Sequence, residues 1–295
     1  MRSLSACGLA LAAILSLAAC SETSSGTAPS PGDIREVTGL PVPAETAQAQ
    51  QARQRDISSR ADSLIRSTLH IETVSPDATR RFRLISDCSG TVCHATEPTT
   101  GVIDTSRIEP GEPELGDAVA IGSAHDITLM SESLIGTDKS ITDFGAWMRH
   151  SAFALSTHRE VSEELDFTSV SSNALGQLTG RPPAVSATWL GIMVGTLVAG
   201  EHEGDRLVGE AALNYDLDSG GLDAGFHGIK NIDRGVAHSD EPVFFVDLAV
   251  EPDGTFARGQ SGTRIHGAFY GPGHVEAAGI FEHFDMVGAF GAKRQ

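Results

Sequence analysis

Positive charge and aromatic rings are both scarce in this sequence. Lysine and arginine number 21 against 39 aspartates and glutamates, giving a net charge of −18, and Phe, Trp and Tyr make up 5% of 295 residues. Nucleic acids and anionic lipid headgroups are held by clustered Lys and Arg, so a surface this acidic repels both, and no nucleic-acid partner is expected. The familiar catalytic signatures are missing too. No G-x-x-x-x-G-K-[ST] and no H-E-x-x-H occurs, which removes P-loop and zinc-protease readings. The run GQSG at 259–262 lacks the spacer of a G-x-S-x-G nucleophile elbow. With no nucleophile–base pair and no paired carboxylates to name, the expectation is a non-enzyme with no catalytic residue, no metal site and no cofactor.

Long apolar runs are absent except at the start. MRSLSACGLALAAILSLAAC carries one early charge, Arg2, and is too short and too abruptly followed by polar residues for a membrane span, so it reads as a processed leader. Ala18-Ala19 directly before Cys20 is similar to a bacterial lipobox, which implies cleavage after residue 19 and lipidation (palmitate) of Cys20. An ordinary signal peptide is the alternative. Ser21, rather than Asp, favours the outer membrane, anchored by lipid, with exposure at the cell surface or facing the periplasm. The following SETSSGTAPSPGD has little to bury and reads as a tether over 20–43.

Cysteine is equally rare, with four in the chain. Cys7 leaves with the leader and Cys20 takes lipid, which leaves Cys88 and Cys93 in DCSGTVCHA. An oxidising compartment and the turn-forming Ser-Gly between them favour a local disulfide. Zinc is the rival, but one C-x4-C without a second pair is weak evidence for it.

Ile57, Ala61, Leu64, Ile65 and Leu69 recur at helical spacing within 44–69, so one N-terminal helix is expected there. RRFRLISDCSGTVCHAT reads as a hairpin, and 97–140 as loops and short strands. DFGAWMRHSAFALS (143–156) is an apolar anchor with a strand, and the Pro pair ending SSNALGQLTGRPP (171–183) marks a boundary. The N-terminal unit, 44–180, is therefore a smaller, mixed, handle-like domain. Beyond it the period changes to two, with Trp189, Gly191, Met193, Gly195 and Leu197 on one face. Runs at 184–199, 206–217, 222–229, 242–250, 256–260, 263–271, 274–284 and 286–294 make eight strands on short links rich in Gly, Asp, Asn and Pro. That pattern predicts a mainly β chain whose residues 181–295 form an eight-stranded antiparallel up-and-down β-barrel, closed and wide enough only to be filled by side chains or to hold one small ligand, with a β-sandwich as the less favoured alternative.

ATWLGIMVG (187–195), IHGAFYGPGHVEAAGIFE (265–282) and VGAFGAKR (287–294) resemble the barrel of transferrin-binding protein B-like lipoproteins, and that barrel is similar to the one in factor H-binding lipoproteins. FGAWMRHSAF (144–153) is similar to the segment before the barrel in single-lobed alphaproteobacterial members. The resemblance implies a surface or outer-membrane lipoprotein that binds a protein or an iron- or haem-related ligand. The full receptor has two lobes, each a handle and a barrel, whereas this chain has room for one, and no individual binding residue carries over.

Smaller signals are read locally. DLDSGGLDAGFH (216–227) starts like a calcium loop with Asp216 and Asp218, but Gly220 and His227 fall where ligands are needed, so a hairpin turn explains it. His266, His274 and His283 have no shared spacing for a metal, and Tyr270 and Trp189 read as core aromatics. Recognition is expected in loops such as GIKNIDRGVAHSDEP (228–242). The alternatives are a periplasmic envelope or hydrolase-inhibitor lipoprotein and a lipocalin-type carrier; the last requires an interior not filled by Trp189, Phe269 and Phe281.

Overall fold

The computed structural model describes residues 39–40, 43, 45–60, 63–75, 80–89, 92–96, 103–107, 118–136, 138–162, 166–182, 186–239, 241–260 and 262–295. The leader, Cys20 and most of the tether lie outside these residues.

Helix α1 spans Ala47–Ser58, opened by Thr46, whose hydroxyl accepts from the Ala49 N–H at 3.3 Å. It is shorter than the periodicity predicts. Leu64, Ile65 and Leu69 fit a helical stripe and a strand equally well, but the β-branched residues Ile65, Thr68 and Ile71 tip the segment to strand β1, Ile65–Ser75. Eight more strands complete the first sheet: β2 (Arg80–Ser89), β3 (Val92–Thr96), β4 (Ile103–Arg107), β5 (Val119–Ala124), β6 (Ile127–Ile135), β7 (Lys139–Trp147), β8 (Ser151–Val161) and β9 (Asp166–Gly176). Their spatial order is β4-β3-β2-β1-β9-β8-β7-β6-β5, two meanders joined where β1 lies antiparallel to β9 from Ile65↔Gly176 to Ser75↔Asp166. The handle is thus helix α1 packed on a nine-stranded sheet, with as many strands as the second sheet.

The second sheet begins after the link 177–186. Its strands are β10 (Ala187–Leu197), β11 (Arg206–Asp216), β12 (Gly221–Asn231), a two-residue β13 (Val236–Ala237), β14 (Val243–Ala249), β15 (Thr255–Gln260), β16 (Thr263–Tyr270), β17 (Glu276–His283) and β18 (Met286–Arg294). All eight runs anticipated in the sequence are strands, and the last, β18, pairs with the first, β10. The expected closure is not found. β14 pairs with β12 and β15 with β16, and the two share no strand ladder: among the described residues they meet at the bridge Val250↔Phe256, through a 2.8 Å bond from the Glu251 N–H to the Thr255 carbonyl, and through a side-chain bond from Arg258 to the Val246 carbonyl. A bulge between Leu222 and Ala224 breaks the β12–β14 register, with Asp247 at φ 53 in the left-handed region. Bulges bend their strand, which explains why β14 leaves the barrel path before the ring is zipped.

The inward residues form one continuous core containing Trp189, Met193, Phe226, Phe256, Phe269, Phe281 and Phe290. Ring centroids lie 4.7 Å apart for Trp189–Phe269 and 4.4 Å for Phe226–Phe281. A Cβ at Gly288 would strike the Phe281 ring, so the small residue there makes space for an aromatic from the next strand. Trp189, Phe269 and Phe281 are fully buried in this core, which leaves no place inside for a carried ligand and removes the lipocalin-type reading.

The outer face of β10, β16, β17 and β18 packs on the first sheet in a single core that mixes Leu69, Phe144, Phe153 and Val170 with Ile192, Tyr270, Ile280 and Ala289. Phe153 lies over Gly291 and Tyr270 over Gly176. At the joint, Glu276, 2% exposed, accepts from the N–H groups of Arg149 (2.9 Å) and His150 (2.9 Å) and from Ser151 Oγ (2.8 Å). The opposite face of the first sheet buries Met130, Trp147 and Leu175 under Ile57 of α1.

That opposite face also carries a polar row across five strands, Glu132↔Asp143↔Ser156↔Ser171↔His70, in which His70 Nδ1 and Ser171 Oγ are 2.7 Å apart. Burial, opposed by a Ser156 hydrogen bond and reinforced by the Glu132 charge, pushes the Asp143 carboxyl up to about 6. Between its unfolded value of 3.8 and about 6 the folded chain holds this proton more tightly than the unfolded one, so stability falls as pH rises through that window. We expect Asp143→Asn to flatten this slope and to be more stable than the wild type at pH 7, by up to about 3 kcal/mol. Urea midpoints measured between pH 4 and 8 check it; parallel curves for the two proteins would contradict it.

Candidate functional site

One end of the barrel carries a groove of about 740 Å³ on its outer side, lined by Ser186, Thr188, Asn214, Asp216, Asp223 and Asp247 with the C-terminal Arg294 and Gln295. Five neighbouring strands, β18, β10, β11, β12 and β14, supply it. The pairings Thr188↔Asn214 and Asn214↔Asp223 align these side chains in one outward row, and Thr188 Oγ1 donates to Asn214 Oδ1 at 2.9 Å. Asp223 Oδ1 accepts the Asp247 N–H at 2.8 Å, which fixes the bulged residue in place. The turn after β11 contributes Asp216 and Ser219. The Asp218 N–H donates to Asp216 Oδ1 at 3.2 Å, and with the Ser219 hydroxyl it holds the Asp216 carboxyl below the ordinary range. DLDSGG is therefore the hairpin turn expected, with its carboxylate serving its own backbone. Across the groove Arg294 Nη1 donates to the Gly273 carbonyl at 3.0 Å. Three carboxylates, two amides and several hydroxyls suit a ligand rich in hydrogen-bond donors, cationic or polyhydroxylated.

The other barrel end holds the link 228–242. It is tied down: Arg206 forks onto Asp233 at 2.6–3.2 Å, Asn231 Nδ2 reaches Asp205 Oδ2 at 2.7 Å, and β13 pairs back onto β12. The structure separates the three histidines. His266 faces the first sheet 3.9 Å from Asp87, the buried His274 offers its carbonyl to Trp189 Nε1 at 2.7 Å, and His283 sits between the rings of Phe245 and Phe284. Among the described residues no group of three His, Cys, Asp or Glu could hold a metal ion. Cys88 and Cys93 are direct partners in the β2–β3 register. The groove itself was out of reach of motif reading, because its residues come from separate strands; the only sequence hint was the Asp-rich turn.

Neither a family model nor a curated protein matches the chain. Among solved structures it is similar to transferrin-binding protein B of Haemophilus parasuis, at 14% identity over 72% of this chain and 51% of that one, with a TM-score of 0.39. It is also similar to transferrin-binding protein B of Actinobacillus pleuropneumoniae, at 12% identity over 78% and 99% of the two chains (TM-score 0.38). A structure described as a surface lipoprotein matches at 12% identity over 78% and 98%, with a TM-score of 0.39. The match to the Haemophilus parasuis protein spans about half of that protein's length, 51%.

Proposed function

We propose that this chain is an outer-membrane lipoprotein, anchored through an acylated Cys20 and the tether at 20–43, that presents its handle (44–180) and barrel (181–295) to a protein or small-molecule ligand. The observation that carries the reading is the contrast between a barrel interior packed with aromatics and an open, donor-seeking groove outside it. A barrel packed in this way serves as a scaffold for surface recognition. The iron- or haem-related ligand class implied by the family resemblance belongs to this reading. A disulfide between Cys88 and Cys93, which face each other in register, staples the β2–β3 hairpin on the handle.

Capture from intact cells and their surroundings with the chain from residue 21 onward tests recognition. A partner should be enriched, and its recovery should fall about tenfold on an Asp223→Asn, Asp247→Asn double variant, the loss of about 1.4 kcal/mol from two charge-assisted bonds. No enrichment, or equal recovery on the variant, would remove the groove as the recognition site. Anchoring is checked separately by the mass of the N-terminal peptide, which should carry acyl groups in the wild type and none in Cys20→Ser. For the staple, Cys88→Ser should cost about 2 kcal/mol in urea unfolding, as a small loop predicts, and an unchanged midpoint would argue against the bond.

A further inference from the structure

At the end opposite the groove the barrel stands open along one seam. From the Val250↔Phe256 bridge β14 and β15 diverge, and beyond Phe256 the residues Ala257, Arg258, Gly259 and Gln260 are all exposed, without the in–out alternation of a covered barrel strand. At the bulge between Phe245 and Leu248 a backbone group of β14 turns into the seam. The Val246 carbonyl does so: across the gap it accepts from the Arg258 guanidinium, a side chain occupying the place of a missing strand. Three large apolar side chains stand in water at this end of the barrel: Phe284 is 69% exposed, Phe244, whose ring lies over Gly225 of β12, is 62% exposed, and Val246 is 47% exposed. Phe284 is held at φ 54, in the left-handed region, by a 2.6 Å bond from its N–H to the Gly262 carbonyl of the neighbouring turn, and His283 links its ring to Phe245 at the inner lip. A bulky residue held at positive φ with its ring in solvent contributes nothing to the core, and strain of this kind concentrates at binding sites.

We propose that this seam is a second binding site, independent of the groove, where an extended cationic peptide segment of another protein adds as a strand beside β14. Main-chain bonds to the outward edge of Val246 would replace the Arg258 cap, and Phe244, Val246 and Phe284 would receive alternate apolar side chains of the guest. Charge selects the guest. Glu241, two residues before β14, and Asp285, beside Phe284 in the β17–β18 turn, flank the opening on an already strongly acidic chain, with a net charge of −18. Two such surfaces repel each other, which disfavours a second copy of this chain as the occupant.

The test uses the full mature chain and a fluorescein-labelled decapeptide of alternating Lys and Val. Anisotropy should show saturable binding, while the same peptide N-methylated at alternate residues, with unchanged charge, should bind at least about tenfold more weakly, the equivalent of one or two lost hydrogen bonds. Hydrogen exchange should show the Phe244 and Val246 amides protected by the peptide. A Phe284→Ser variant, altered only at an exposed turn, should weaken binding and leave the urea midpoint near the wild-type value. Equal affinity for methylated and unmethylated peptides would reduce the effect to bulk charge attraction and overturn the proposal. Protection of the Val246 amide that rises with protein concentration in the absence of peptide would overturn it in favour of self-association, and a complete lack of binding would overturn it outright.

Discussion

Gly191→Val should leave the chain without a folded barrel. Gly191 lies on β10 directly opposite Ala292 of β18, the pairing that joins the first and last barrel strands. A Cβ at 191 would fall inside contact distance of the Gly291 carbonyl oxygen and the Ala292 Cα, both backbone atoms that cannot swing aside as a side chain end can. Relief therefore requires β10 and β18 to separate, and with them the inward residues Trp189, Met193 and Phe290 that the pairing holds together. The barrel has little reserve against this, because its β14–β15 seam has no strand ladder and is held by one bridge, one backbone bond beside it and the Arg258 side chain. A second gap would leave two curled half-sheets with exposed edges. We expect a loss above about 4 kcal/mol, visible as collapse of near-UV circular dichroism at 25 °C. Gly204→Ala is the control: its φ of 91 is costly for alanine, but nothing lies within 4 Å of the added carbon, so only about 1 kcal/mol should be lost. If Gly191→Val unfolds within about 1 kcal/mol of the wild type, the close approach of β10 and β18 is refuted.

Most of the barrel was legible because a half-buried strand writes its period into the chain. Trp189, Met193 and Leu197 recur at even spacing, and turn residues punctuate every strand end, so all eight strands could be anticipated. The handle was not legible on those terms. Across α1 and β1 the residues Ile57, Leu64 and Ile65 keep a helical spacing while Ile65, Leu69 and Ile71 share the two-residue period of one strand face, and only pairing with β9, distant in sequence, decides the second half. Closure was misjudged for a related reason. A bulge is set by the register between two strands, and nothing within VFFVDLAV announces that Asp247 adopts a left-handed φ and bends the strand away. The groove residues were invisible for the same cause: Thr188, Asn214 and Asp223 become neighbours only through the β10–β11–β12 register. The glycines did more than expected. Some make room for inner rings, as Gly288 does for Phe281, but Gly176 and Gly291 accept Tyr270 and Phe153 across the joint between the two sheets.

That joint supplies the other large expected effect. Glu276→Leu should uncouple the two sheets at a cost of roughly 3–5 kcal/mol, because it strands two partly buried backbone N–H groups and a buried hydroxyl that now share one carboxylate. The positive side chains of Arg53 and Lys293 also lie within its electrostatic reach and would lose that counter-charge. Glu276→Gln keeps one acceptor oxygen but turns an NH2 toward the donors, so about half the loss is expected. The chain carries its own probes, since its two tryptophans divide between the halves, Trp147 on β7 of the first sheet and Trp189 on β10 of the second. In single-tryptophan backgrounds, Trp147→Phe and Trp189→Phe, urea unfolding should be coincident while Glu276 is present, because the shared core of Phe153, Tyr270, Ile280 and Val170 makes one cooperative unit. With Glu276→Leu the two emission transitions should part, the Trp147 signal from the handle and the Trp189 signal from the barrel reporting separate midpoints. If they stay coincident, and the midpoint moves by less than the loss of one hydrogen bond, about 1 kcal/mol, then the apolar interlock of Phe153 on Gly291 and Tyr270 on Gly176 holds the joint without the carboxylate.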